Sequence, residues 1–162
     1  MLRIVGAVLI LLVLALTTLR ITGLNPDGRR AGLWLNGNLV ATPVTDWSFT
    51  DSIQNVELET HPWYLIVHSV TIFCVTYNGH LYLSSIVAPG EPAYPHSRQW
   101  NEAVARDPHV RIKIGDKLYD RTLTYVTDPV EQAGAVQAEK KKYSTYEMPV
   151  GATFNVFRIS DN

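Results

Sequence analysis

The chain has 162 residues, 46% hydrophobic and 18% charged, enough for one globular core and a separate apolar segment. Its net charge of −1 excludes an electrostatic case for nucleic acid, and its single cysteine, Cys74, excludes an internal disulfide. The five histidines stand apart without metal-ligand spacing, so no metal site is expected.

Ile4 to Ile21 is almost unbroken apolar, softened by Gly6, Thr17 and Thr18. As a helix these residues reach about 27 Å, close to the hydrocarbon thickness of a bilayer. Leu19-Arg20-Ile21-Thr22-Gly23 makes a poor cleavage site, and no cysteine follows for lipidation. Residues 1–22 are therefore expected to form a single-pass anchor, as in a bacterial-type inner membrane, rather than a cleaved signal peptide. Arg3 flanks one end and Arg20, Arg29 and Arg30 the other. That balance favours a cytoplasmic globular domain, with the exported orientation left open.

Residues 23–32 read as a linker, with a turn at Asn25-Pro26-Asp27-Gly28. The globular domain is expected over residues 33–162. Leu33 to Val40 reads as a short hairpin turning at Asn36-Gly37, and Thr45 to Phe49 as an aromatic, strand-like extension. Ile53 to Thr60 alternates as a strand. Trp63 to Thr76 is aromatic and β-branched, and Asn78-Gly79 is the strongest hairpin signal in the chain, with His80 to Ile86 returning. The run from Val70 to Val75 is apolar on both faces, as for a central strand that also meets a second copy. Ala88 to Pro95 is a rigid proline-containing loop.

Ser97 is expected to cap a helix through Arg106 that buries Trp100, Ala103 and Val104, stopped by Asp107-Pro108. His109 to Ile114 alternates, Gly115-Asp116 turns, and Lys117 to Thr127 returns as a strand. Asp128-Pro129-Val130-Glu131 is a helix start, with Asp as cap and Pro at the first position. That helix runs to about Tyr143, with Lys140, Lys141 and Lys142 favourable at its C-terminal end. Phe154 to Ile159 closes the fold as a last strand.

The ordered set Trp100, Asn101, Ala105, Pro108, Val110, Gly115, Tyr119, Val126, Thr127, Asp128, Tyr143 and Tyr146 resembles the deazaflavin-dependent nitroreductase family. That family lies within the flavin-reductase-like split β-barrel superfamily, also called pyridoxamine-phosphate-oxidase-like. The resemblance covers roughly residues 55 to 160. It implies an α+β fold, mainly β: a split β-barrel with two short flanking helices, here carrying an N-terminal transmembrane helix. It also implies a homodimer and an FMN or F420 cofactor. The cofactor's phosphate tail would meet Ser84, Ser85, His96, Ser97 and Arg98, with Trp100 as a shelf for the ring. Tyr143 and Tyr146 would line the acceptor side, and His68 is the natural proton donor.

One span departs from the family. Residues 60–67 contain no lysine, arginine or glycine, where the relatives carry a turn that grips the anionic cofactor. Each charge-assisted bond lost there is worth about 1.5–3 kcal/mol. Two functions follow. One is a membrane-anchored reductase passing hydride to a quinone or nitro acceptor, with the cofactor supplying the redox chemistry. The other is a non-catalytic accessory subunit of a larger membrane complex, with Trp34, Trp47 and Trp63 as docking aromatics.

Overall fold

A computed structural model of the chain describes residues 2–64 and 66–161. Leu65, inside the span expected to be extended, lies outside the described residues. The first element is helix α1, Leu2–Thr22. It is long and apolar enough to cross a membrane, and its apolar window from Ile4 to Thr22 is not buried against the rest of the chain. A core helix would hide that face, so α1 is no part of the barrel's core.

The remaining elements are β1 (Asn38–Leu39), β2 (Asn55–Thr60), β3 (His68–Tyr77), β4 (His80–Val87), α2 (Gln99–Arg106), β5 (His109–Ile114), β6 (Lys117–Tyr125), α3 (Pro129–Lys142) and β7 (Thr153–Ser160). The sheet runs β1-β6-β5-β2-β3-β4-β7, and β7 pairs back onto β6. Six antiparallel strands thus close into a barrel, which removes the exposed edges a flat sheet would leave. The two short helices sit outside it. This is the α+β split-barrel architecture expected from the sequence.

The local reasons are visible. Asn78 and Gly79 both take positive φ, 51° and 77°, as the two-residue turn between β3 and β4 requires. Asp128 Oδ1 accepts from the Glu131 amide at 2.7 Å and caps α3. Val110, Ile112 and Ile114 turn inward on β5, and Leu58, Leu81, Leu83 and Phe157 fill the barrel with them.

Three expectations are corrected. Residues 33–40 form no hairpin: Asn38 and Leu39 run parallel to Lys117 and Leu118 on β6, because Asn38 N and Val40 N donate to the Asp116 and Leu118 carbonyls. Thr45 to Phe49 is no strand. Trp47 enters the core against Tyr119, ring centroids 5.3 Å apart, and a single 3₁₀ turn follows at Ser48–Thr50. Ser97 does not cap α2. Arg98 holds the cap position without a side-chain bond, because the Ser97 hydroxyl turns inward to Asn101 and Asn155.

Residues 24–34 fold back as a small arm. Leu24 N donates to Trp34 O and Leu33 N to Leu24 O, while Asp27 and Arg30 exchange two backbone bonds around Gly28-Arg29. Gly32 then pairs with Ser69 on β3 through both backbone bonds, 2.8 and 3.1 Å. A Cβ at Gly32 would lie 2.2 Å from the Leu24 carbonyl oxygen, so only glycine admits this approach.

Candidate functional site

The β3–β4 ladder stops at the Cys74–Leu83 pair. Continuing that register would join Phe73 to Ser84, Ile72 to Ser85 and Thr71 to Ile86. Instead the strands part, and a cleft of about 470 Å³ lies between them, lined by those six residues. β4 leaves to pair with β7, and β3 with β2, so each strand stays bonded on its other side. Arg98 and Trp100 of the α2 region close one wall, Tyr146 another, and Arg29 and Arg30 of the arm a third. The volume falls in the range of small-ligand and cofactor sites.

Five of the nine residues expected at the site meet here: Ser84, Ser85, Arg98, Trp100 and Tyr146. Their roles differ. Trp100 is 7% exposed and packs on Phe157 at 5.0 Å, so it is a core residue that shows only an edge to the cleft. Tyr146 packs edge-on against Phe73 at 5.3 Å. Arg98 donates to the Ser97 and Ile86 carbonyls, each at 2.6 Å, and pairs with Glu91 at 2.9 Å. Its bond to Arg98 is the main reason the Glu91 carboxyl is held below the usual range. Most of the Arg98 charge is therefore already answered.

The other four lie off the cleft. His96 is exposed and faces Glu102 at 3.0 Å. His68 opens β3 opposite Thr60, and its buried Nδ1 has no partner among the described residues. Burial pushes its pKa down, which leaves a neutral ring at pH 7 and a poor proton donor. Ser97 belongs to a buried polar ring: Asn101 Oδ1 accepts from Ser85 and Ser97, each at 3.0 Å, and Asn155 Nδ2 donates to the same two hydroxyls. That ring ties α2 to β4 and β7 beneath the cleft.

Tyr143 is a staple. The β2–β3 ladder ends at Asn55–Phe73, and its next rung would join Gln54 to Cys74. The Tyr143 hydroxyl occupies that rung. It accepts from Cys74 N at 3.1 Å and lies 2.5 and 2.8 Å from the Gln54 and Cys74 carbonyl oxygens. Burial pushes this phenol well above its ordinary value.

Two groups of residues escaped the sequence reading. Arg29 and Arg30, read there only as charges flanking an apolar run, face the cleft without a carboxylate partner among the described residues. They bring two positive charges to the cleft, whereas the 60–67 span carries no lysine or arginine. Glu139, on the inner face of α3, is 2% exposed and accepts from Ser84 Oγ at 2.6 Å. Its i, i+4 spacing from Ala135 and Tyr143 was the available signal. Among the described residues no three histidine, cysteine or acidic side chains gather as metal ligands.

No protein-family model matches the sequence, and no curated protein sequence matches it. Solved structures do match the fold. A conserved hypothetical protein of Mycobacterium tuberculosis aligns over 77% of this chain and 86% of its own, at TM-score 0.55 and 15% identity. An F420-H2 dependent reductase aligns over 67% and 95%, at 0.50 and 20%. A NimC/NimA family protein of Clostridium acetobutylicum aligns over 72% and 85%, at 0.50 and 13%. The chain shares a split β-barrel fold with these structures.

Proposed function

We propose that the cleft holds an anionic flavin-type cofactor, FMN or F420, and that the protein is a reductase of the split-barrel class. One observation carries this reading: two arginines without acidic partners among the described residues face a cleft walled by Phe73, Tyr146 and an edge of Trp100. The residues fit the group. Arg29 and Arg30 would hold the phosphate or carboxylate tail by charge-assisted bonds. Phe73, Val70 and Ile86 offer an apolar wall to a flat ring. The cofactor, when bound, would supply hydride for a quinone or nitro-type acceptor. The F420-H2 dependent reductase of the same fold supports the cofactor class.

The length and apolar composition of α1 support a reading at a membrane, where a lipid-soluble acceptor such as a quinone would be at hand. Its end is joined to the barrel through the Asn36 side chain, which donates to the Thr22 carbonyl, and through Arg20 over the Trp34 ring. A second copy would complete the cleft along the half-buried Val70, Thr71 and Phe73 of β3. The accessory-subunit reading draws on one observation, the exposure of Trp63, 77%, beside Tyr64 and Ile66. Trp47, buried in the core, does not contribute to it.

The test is the absorption spectrum of the full chain in detergent, followed by titration with FMN and with F420. Binding that weakens about tenfold or more in an Arg29→Ala/Arg30→Ala variant supports the proposal. A colourless chain that binds neither cofactor refutes it, and co-purifying subunits would then favour the accessory role.

A further inference from the structure

We propose that Glu139 and Ser84 form a proton-delivery pair opening onto the cleft, in which the carboxyl hands its proton to the serine hydroxyl and the hydroxyl hands its own to the bound acceptor. This rests on the reductase reading and adds to it the source of the proton that must accompany a hydride.

The geometry comes from α3 and β4 together. Ser84 is 5% exposed and lines the cleft at the point where β4 parts from β3. Behind it, Glu139 Oε1 lies 2.6 Å from Ser84 Oγ. A serine hydroxyl carries one proton. While Glu139 is ionised it claims that proton, and Ser84 can only accept from the cleft. Once Glu139 is protonated its own O–H donates to Ser84 Oγ, and the serine proton turns outward. The donor chain from α3 to the cleft is then continuous.

The surroundings favour the protonated form. Burial pushes the Glu139 carboxyl above its ordinary 4.5, opposed by the Ser84 bond and by the Lys142 charge. Lys142 lies one helical turn further along α3, and its ammonium is engaged with the Thr50 and Cys74 carbonyls at 3.1 and 2.8 Å. The Cys74 thiol and the Tyr143 phenol also face this region, and burial pushes both upward, so both stay neutral and neither supplies the proton.

The balance is simple. The acceptor gains hydride from the reduced flavin-type cofactor and holds an extra electron pair on oxygen. The Ser84 O–H bond breaks as the acceptor O–H bond forms. The Glu139 O–H bond breaks as the serine hydroxyl is restored. The carboxylate left behind regains its proton from solvent.

Infrared spectroscopy of the full chain in detergent, titrated in pH, tests the pair without turnover. The expected result is a protonated-carboxyl band that persists above the ordinary glutamate range, disappears in Glu139→Gln and shifts in Ser84→Ala. A carboxyl that ionises in the ordinary range overturns the proposal. Turnover with cofactor and a soluble benzoquinone is the second readout. Glu139→Gln is expected to lower kcat about tenfold or more with little change in KM, and to remove the alkaline limb of the pH profile. Ser84→Ala should do the same, and the double variant should be no worse than either. A folded Glu139→Gln protein that binds cofactor with an unchanged profile overturns the pair alone. A chain that binds neither cofactor overturns the reductase reading and the pair's role in it together.

Discussion

Replacing Tyr143 with phenylalanine removes one oxygen and keeps the ring. The ring packs on Phe73 at 4.6 Å, and that contact should survive. What is lost is the rung between Gln54 and Cys74. Cys74 N loses its acceptor, and the Gln54 carbonyl loses a donor. The Cys74 carbonyl keeps Lys142. A buried polar group left unmet costs about 1–3 kcal/mol, and water reaches the Gln54 side, so we expect about 2–3 kcal/mol in total. For a domain of this size each kcal/mol lowers the melting midpoint by roughly 2–4 °C. Thermal unfolding of the full chain in detergent, followed by circular dichroism, should therefore show a drop of about 4–12 °C. Cofactor affinity should stay within about threefold. An unchanged midpoint with lost cofactor binding or turnover would refute the staple and put the hydroxyl at the ligand.

Gly32→Ala should destabilise the protein by about 1–3 kcal/mol, because its Cβ would meet the Leu24 carbonyl oxygen and the Ser69 side chain. Amide hydrogen exchange should show the arm loosening around residues 24–34 before the barrel does. Glu139→Gln should also flatten the pH dependence of stability. A carboxyl whose native pKa is raised binds its proton more tightly when folded, so stability falls as pH climbs from 4.5 through the native value and then levels off. Urea unfolding across that window should show a shallower decline in the variant; an identical slope would contradict the buried acid. Gly134→Ala should force the Tyr77 ring away from α3, since the new Cβ would lie 2.4 Å from that ring. A lowered urea midpoint without loss of cofactor binding is the expected result.

The barrel was legible where short-range chemistry decides. Alternation placed β2 and β5, Asn78-Gly79 set the β3–β4 turn, and Asp128-Pro129 started α3. Each of these is determined within a few residues. The misreadings lie where a distant group competes. Asn36-Gly37 looks like a hairpin turn, but the backbone of β6 takes its neighbours. Ser97 looks like a cap, but Asn101 and Asn155 offer its hydroxyl a buried partner. The cleft was half legible. Ser84, Ser85, Arg98, Trp100 and Tyr146 were named from the resemblance, but no periodicity could show that Arg29 and Arg30 come round to face them. That placement depends on Gly32 meeting Ser69, a contact between segments that look unrelated in sequence.

The arm has a practical consequence for anyone who wants the barrel without its apolar helix. A cut at residue 33, the boundary drawn from composition, would discard both arginines and the Gly32–Ser69 pairing, leaving a fragment with one wall of the cleft gone. A cut after Gly23 keeps the Leu24–Leu33 bond and the arm it closes. Preparations made at these two boundaries would share a core and differ in ligand chemistry, so a negative binding result from the shorter one would say nothing about the protein.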